Sequence, residues 1–303
     1  MAFSVTILGS GAAIPTSDRN PTAQLVEVRN QLLLLDCGEG TQMQLRKLGV
    51  RIQKISHIFI SHLHGDHYFG LIGLLNTLHL YGRKHELHLY GIQPLKDLID
   101  LQLSLSRTLL QYPLIFHAID ADESVIILDH KHFTVTTIPL NHRVPTSGFL
   151  ITEKAEKRKI RKDFLKKTKV PVEYFEKIKN GEDYTDENGD HYLNHSITND
   201  PPVVKSYAYC TDTAYFEPVI PIIMKCDLLY HEATFMEEKA EDARAKFHST
   251  AREAASIALQ AGVKKLVIGH FSARYNDADG LLKEAKTLFP ETLLAHDGMR
   301  IEI

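Results

Sequence analysis

The chain has 303 residues, with 35 Lys and Arg against 38 Asp and Glu, a formal net charge of −3, and 44% hydrophobic residues. This suits one or two soluble domains with an ample core and excludes a collagen-like, low-complexity or wholly disordered chain. Near-balance of charge also excludes a protein that holds nucleic acid through net charge alone. Histidine stands out, at 17 residues with no tryptophan, and it is the side chain most used for metal ligation and proton transfer near neutral pH.

In chain order, residues 5–8 read as a buried first strand rather than a secretion signal, because no basic residue precedes the apolar run. Residues 24–28 and 32–35 flank the hairpin turn Arg29-Asn30-Gln31. Helical spacing over 40–48 stops at Gly49; a strand follows over 55–60, then a helix over 68–80. Residues 87–90 form a strand leading to a helix started by Pro94; 124–128 and 132–138 form a meander, and 148–151 another strand. The second half alternates strands at 207–210, 228–230 and 265–268 with helices at 251–261 and 278–288. The mixture predicts a layered α+β or α/β domain rather than a simple doubly wound sheet. Cys37, Cys210 and Cys226 are too few and too scattered for a disulfide framework, and no CxxC pair is present, which points to a reducing, cytoplasmic setting. No stretch approaches the roughly 20 apolar residues that span a bilayer.

One segment departs from the rest. Residues 153–179 carry eleven Lys and Arg against five acids, a local +6 that leaves −9 on the remainder. An acidic, turn-rich stretch follows, and the block ends near Pro201-Pro202. It reads either as a solvated charged helix or as an inserted phosphate-binding arm over residues 153–200.

The strand at 55–60 runs into Ser61-His62-Leu63-His64-Gly65-Asp66-His67, an H-x-H-x-D-H pattern. At an extended strand end, His62 and His64 point to one side. Gly65 permits a tight turn, so Asp66 and His67 can swing onto a second centre. Four ligands in six residues crowd a single tetrahedral ion but divide naturally between two neighbouring ions. Further ligands are expected just past later strands: His142, Asp212 and His270 each follow an apolar run, where loops on a rigid scaffold carry function.

With these segments the chain resembles the metallo-β-lactamase superfamily and, within it, the ribonuclease Z family of tRNA 3′-processing endonucleases. The narrower resemblance rests on Leu8-Gly9-Ser10-Gly11 with Arg19-Asn20, on Leu35-Asp36-Cys37-Gly38, Thr211-Asp212-Thr213, His231-Glu232-Ala233-Thr234, His248-Ser249-Thr250 and His270-Phe271-Ser272-Ala273-Arg274-Tyr275. It implies a single αββα four-layer sandwich over residues 1–303, two mixed sheets flanked by helices, with a protruding, flexible basic arm at 153–200. It also implies two Zn2+ per subunit that activate a bridging hydroxide: one held by His62, His64 and His142, the other by Asp66, His67 and His270, with Asp212 between them. Asp66 would orient or deprotonate the water, and His248, held by Glu232, would donate a proton. Arg19, Asn20 and Arg274 would contact the acceptor end. Lys159, Arg161, Lys162, Lys166 and Lys167 would grip precursor tRNA, in trans within a homodimer. The rival reading is another hydrolase of this fold acting on a small ester, thioester or phosphodiester. The basic arm and the His248/Glu232 pair discriminate against it.

Overall fold

The computed structural model describes residues 3–303. They divide into two units, one formed by residues 3–152 and 205–303, the other by Glu153–Val204. The first unit opens with β1 (Phe3–Gly9), β2 (Ala23–Val28), β3 (Gln31–Leu35), α1 (Thr41–Lys47), β4 (Ile55–Phe59), α2 (Gly65–Tyr68) and α3 (Leu71–Leu80). It continues through β5 (Leu87–Gly91), α4 (Gln93–Leu105), β6 (Leu114–Ala118), β7 (Ile126–Asp129), β8 (Phe133–Pro139) and β9 (Ser147–Glu153). The second unit contains β10 (Lys159–Ile160), α5 (Lys162–Lys167), α6 (Phe175–Lys179), β11 (Tyr184–Thr185), β12 (His191–Tyr192), α7 (Asn194–Ile197) and β13 (Thr198–Asn199). The first unit resumes with β14 (Ser206–Cys210), β15 (Leu228–Glu232), α8 (Ala240–Lys246), α9 (Ala251–Ala261), β16 (Lys265–Gly269), α10 (Asp279–Lys286), β17 (Thr292–Leu294) and β18 (Arg300–Glu302).

Two seven-stranded sheets form, ordered β18-β1-β2-β3-β4-β5-β6 and β17-β16-β15-β14-β9-β8-β7. Both are mixed: β1 to β3 pair antiparallel and β3 to β6 parallel, while β14 pairs antiparallel with β9 and parallel with β15. Alternation along each strand sends one set of side chains between the sheets and the other under helices. Phe59, Tyr90, Phe149 and Tyr209 belong to the core shared by the two sheets, which extends to the buried alanines of α9. Ile58 and Ile60 point the other way, into a core closed by Leu45 of α1, Leu74 and Leu78 of α3, and Leu95 of α4. The result is the four-layer αββα sandwich.

Local chemistry explains most boundaries. Arg29 and Asn30 both adopt left-handed φ, 50° and 65°, so the hairpin is a two-residue turn, and Gln31 already pairs with Val28. α9 starts on a capping box in which the Thr250 side chain accepts from the Glu253 N–H, and it ends at Gly262 with φ 60°. The predicted helix over 68–80 is divided. The Gly70 N–H donates to Cys37 O, and a Cβ on Gly70 would lie 2.1 Å from Gly38 O, so the chain turns there between α2 and α3. Strands β6, β17 and β18 escape the sequence reading because they are short runs at sheet edges or ends, held by pairing rather than by pattern. Among the described residues, no helix is long and apolar enough to cross a membrane.

The unit Glu153–Val204 is not one charged helix. β10 pairs with β13 and β11 with β12, and α5 is a single short basic helix. Ile178, Tyr184 and Ile197 are buried among Phe164, Tyr174 and Tyr192. The acidic stretch makes the β11–β12 turn, in which Asp186 Oδ1 accepts from the Asn188 and Asp190 N–H groups at 2.9 and 3.0 Å.

Candidate metal centre

Register brings the site together. β14, β15 and β16 run parallel, with Cys210 opposite His231 and His231 opposite Ile268, so Asp212, Glu232 and His270 leave the sheet at one end. β4 delivers His62 to His67 at the end of the facing sheet, and His142 follows β8. All seven candidate ligands named from the sequence meet there, and their donor atoms fall into groups: His62, His64, His142 and Asp212 in one, Asp66, His67 and His270 in another, with Asp212 and His270 also grouping with His248.

Asp212 lies between the groups with one oxygen toward each. Its Oδ2 is 3.6 Å from His62 Nε2 and 3.8 Å from His142 Nε2; its Oδ1 is 3.1 Å from both His67 Nε2 and His270 Nε2. Asp66 Oδ2 is 3.5 Å from His67 Nε2 and 3.4 Å from His270 Nε2. His142 Nε2 faces His64 Nδ1 at 3.2 Å. The buried Nε2 atoms of His62, His67 and His270 have no hydrogen-bond partner, although buried polar atoms are nearly always paired. Imidazole and carboxylate donors converging on shared space, with three nitrogens left unsatisfied, fit a divalent metal.

A surrounding set of hydrogen bonds fixes these side chains. Asp36, at the end of β3 with φ 56°, is fully buried and faces the chain after β4. Its Oδ1 accepts from the Ser61 N–H at 2.7 Å; its Oδ2 accepts from Ser61 Oγ at 2.9 Å and Tyr209 OH at 2.7 Å, and meets His67 Nδ1 at 2.8 Å. His142 Nδ1 donates to Phe247 O at 2.9 Å, and Phe247 is held at φ 58°. Thr234 Oγ1 donates to Glu232 Oε2 at 2.6 Å and stands 3.0 Å from His270 Nδ1. Asp66 Oδ2 accepts from the Ala13 N–H at 2.8 Å. Partners of this kind set ring orientation and tautomer. Asp36 and Thr234 enter the sequence reading only inside quoted segments, with no role of their own, yet Asp36 occupies the same strand-end position that marks the candidate ligands.

The electrostatics agree with a cation site. Burial, reinforced by His67, pushes His62 well below the usual imidazole range. Burial acts the same way on His67, but the carboxylates of Asp212, Asp66 and Asp36 outweigh it and raise that imidazole. Burial would raise Asp66 and Asp212; the neighbouring imidazoles, His67 for Asp66 and His270 for Asp212 foremost, hold both far below the carboxylate range. The buried carboxylates thus favour positive charge at this cluster. A divalent cation supplies that charge with every ring neutral.

The cluster opens into a cavity of about 630 Å³. His248 lies on its wall, with Nδ1 2.7 Å from Glu232 Oε1. Burial disfavours charge on His248, but Glu232 outweighs it and lifts the imidazole to about 9. Glu232 is fully buried and also accepts from the Thr213 and Thr234 N–H groups, at 2.9 and 3.1 Å. Arg274 lines the cavity too, but it is engaged: its Nη1 is 3.4 Å from Asp242 Oδ2 and its guanidinium sits 4.8 Å above Phe235. Arg19 donates to Tyr275 O at 2.9 Å, and the Asn20 side chain donates to Asp297 at 2.8 Å, so both brace loops in this structure. Lys159, Arg161, Lys162, Lys166 and Lys167 are all exposed on the second unit, where Lys159 is 3.2 Å from Glu156 and Arg161 Nε donates to Thr198 O.

Comparisons with known proteins extend this picture. Residues 3–158, just over half of the chain, match the family model described as Anti-Pycsar protein Apyc1. Ribonuclease Z of Bacteroides fragilis is 46% identical over 303 residues, covering 99% of each chain. Ribonuclease Z of Bacteroides thetaiotaomicron is 45% identical over 301 residues, 99% of this chain and 95% of the relative. Among solved structures, the short form of human tRNase Z is 29% identical with a TM-score of 0.72 over 98% of both chains. The metallo-beta-lactamase fold protein YhfI from Bacillus subtilis, 23% identical with a TM-score of 0.70 over 100% of both, shares the fold.

Proposed function

This chain belongs to the ribonuclease Z family, and through its first half to the family described as Anti-Pycsar protein Apyc1; from that membership we propose that it removes the 3′ trailer from precursor tRNA. The cut falls after the discriminator nucleotide and leaves a tRNA 3′-OH and a trailer with a 5′-phosphate. The observation that carries this reading is the Glu232–His248 pair beside the bridged histidine and aspartate cluster, a held proton donor next to a place for phosphate. Two zinc ions per subunit suit the donor set, one with His62, His64 and His142, one with Asp66, His67 and His270, and Asp212 shared. When bound, such ions stabilise charge on a phosphoryl oxygen and lower the pKa of water toward neutrality.

The protein's own groups then divide the work. Asp66, anchored by the Ala13 N–H, is placed to orient or deprotonate the attacking water. With Nδ1 committed to Glu232, His248 has Nε2 left to protonate the leaving 3′-oxygen. Lys159, Arg161, Lys162, Lys166 and Lys167 bind backbone phosphates of folded tRNA, recognising shape more than base sequence. We assign that grip to the arm of one subunit acting on tRNA cut by its homodimer partner, in the cytoplasm.

End-mapping of products from a precursor tRNA carrying a 3′ trailer tests the reading. The expected result is one cut after the discriminator with 3′-OH and 5′-phosphate ends. Zinc-loaded protein that leaves this RNA intact while turning over a glutathione thioester, nitrocefin or a small phosphodiester would overturn it.

A further inference from the structure

The cations at the mouth of the cavity are not equivalent. Arg274 shares its charge with Asp242 at 3.4 Å. Arg143 and Lys246 line the same cavity, are exposed, and have no acidic partner among the described residues. Each is attached to the side of the site that carries the proton donor. Arg143 follows the ligand His142, whose ring centre is 5.3 Å from that of His248. Lys246 ends α8 two residues before His248, and its ammonium rests 5.6 Å from the centre of the buried Phe235 ring. The intervening Phe247 ties the two segments together, since its carbonyl accepts from His142 Nδ1 at 2.9 Å. Of the acids lining the cavity, Asp66 and Asp212 belong to the histidine cluster, and the exposed one, Glu39, comes from the β3–α1 connection of the other sheet. Free positive charge is therefore concentrated on the His248 side.

We propose that Arg143 and Lys246 are positioning residues that hold backbone phosphates of the RNA on the leaving-group side of the cut, the acceptor end of the tRNA. The proposal rests on the function assigned above, in which His248 serves the leaving 3′-oxygen. A phosphate is the natural partner of an unpaired guanidinium and an unpaired ammonium. A cation stacked on an aromatic ring is pre-ordered, so it loses less freedom on binding. Chemistry on a small diester needs the metal ligands and His248 but neither of these cations.

The test compares zinc-loaded wild type with Arg143→Gln, Lys246→Gln and the double variant on trailer-bearing precursor tRNA over a salt series, with bis(p-nitrophenyl) phosphate as the small substrate. Each single change should raise KM for the RNA about tenfold with kcat little altered, the loss of one charged hydrogen bond. The double variant should flatten the slope of log kcat/KM against log salt by about 1.4, two contacts at the single-strand value. Small-diester turnover and zinc content should be unchanged, and Lys246→Arg should restore most of the RNA affinity. Neutral methylphosphonates placed one at a time in the RNA should weaken wild type on the tRNA side of the cut and leave the double variant indifferent at those positions. Equal loss on both substrates, an unaltered RNA KM and salt slope, or methylphosphonate sensitivity confined to the trailer would each overturn the proposal. Wild type that fails to cut the RNA would instead refute the assigned function, so the two failures are separable.

Discussion

Asp36→Asn separates the hydrogen-bonded support of the histidine cluster from the cluster itself. The substitution keeps the shape of a fully buried side chain but removes its charge and turns one acceptor into a donor. If the amide oxygen takes the Oδ2 place, its NH2 confronts the Ser61 N–H, which Oδ1 accepts at 2.7 Å. If it takes the Oδ1 place, the NH2 confronts Ser61 Oγ, Tyr209 OH and His67 Nδ1. The hydroxyls can rotate to accept; the His67 nitrogen can do so only in the tautomer that puts a proton on the metal-facing Nε2. At least one buried donor stays unmatched, at about 1–3 kcal/mol, and the charge assistance of the rest is lost. We expect destabilisation of about 2–4 kcal/mol and a Tm lower by roughly 4–8 °C for a domain of this size. Loss of the His67 orienter should weaken metal affinity about 10–100-fold, with activity recovering at high metal. Thermal unfolding with and without chelator, together with zinc competition titration, measures both effects. Wild-type metal affinity in a folded Asp36→Asn protein would refute the role given to Asp36.

Asp212→Ala should lose metal from both centres and activity together, because one carboxylate faces both histidine sets; two equivalents of tightly held metal by mass spectrometry would contradict the shared position. The Glu232 charge raises His248 to about 9 from the ordinary 6.5, so this pair stabilises the fold fully below about 6.5 and loses that contribution as pH rises through about 9. In Glu232→Gln the basic limb of kcat should move to lower pH, and a limb that stays in place would remove His248 as the proton donor. Replacing residues 155–203 with a short Gly-Ser linker should raise KM for precursor tRNA while leaving bis(p-nitrophenyl) phosphate turnover intact; equal loss on both would make that unit structural. Thr250→Ala breaks the capping box of α9 and should cost about 1 kcal/mol, roughly 2 °C in Tm, with near-normal zinc content by elemental analysis.

Much of the site was legible because its chemistry is local. His62, His64, Asp66 and His67 lie within one strand-to-helix turn, so their grouping needs no knowledge of the fold. His142, Asp212 and His270 could be nominated because each follows an apolar run. The Arg29-Asn30 hairpin and the Thr250-to-Glu253 cap are likewise short-range, set by backbone preference and side-chain reach. What could not be read is the pairing of groups far apart in the chain. Asp36 meets His67 across 31 residues and Tyr209 across 173, through sheet order and strand register that no local pattern states. The division of Asp212 between two histidine sets arises the same way, from two sheets bringing their ends together. The basic block was visible as charge, but its fold rests on two-residue strands and a small aromatic cluster, too short to leave a period in the sequence. Sequence thus determined which residue types were available at strand ends. Tertiary structure decided which cations remain free, because Arg274 is paired only once α8 places Asp242 beside it, and Arg143 and Lys246 are left facing the cavity.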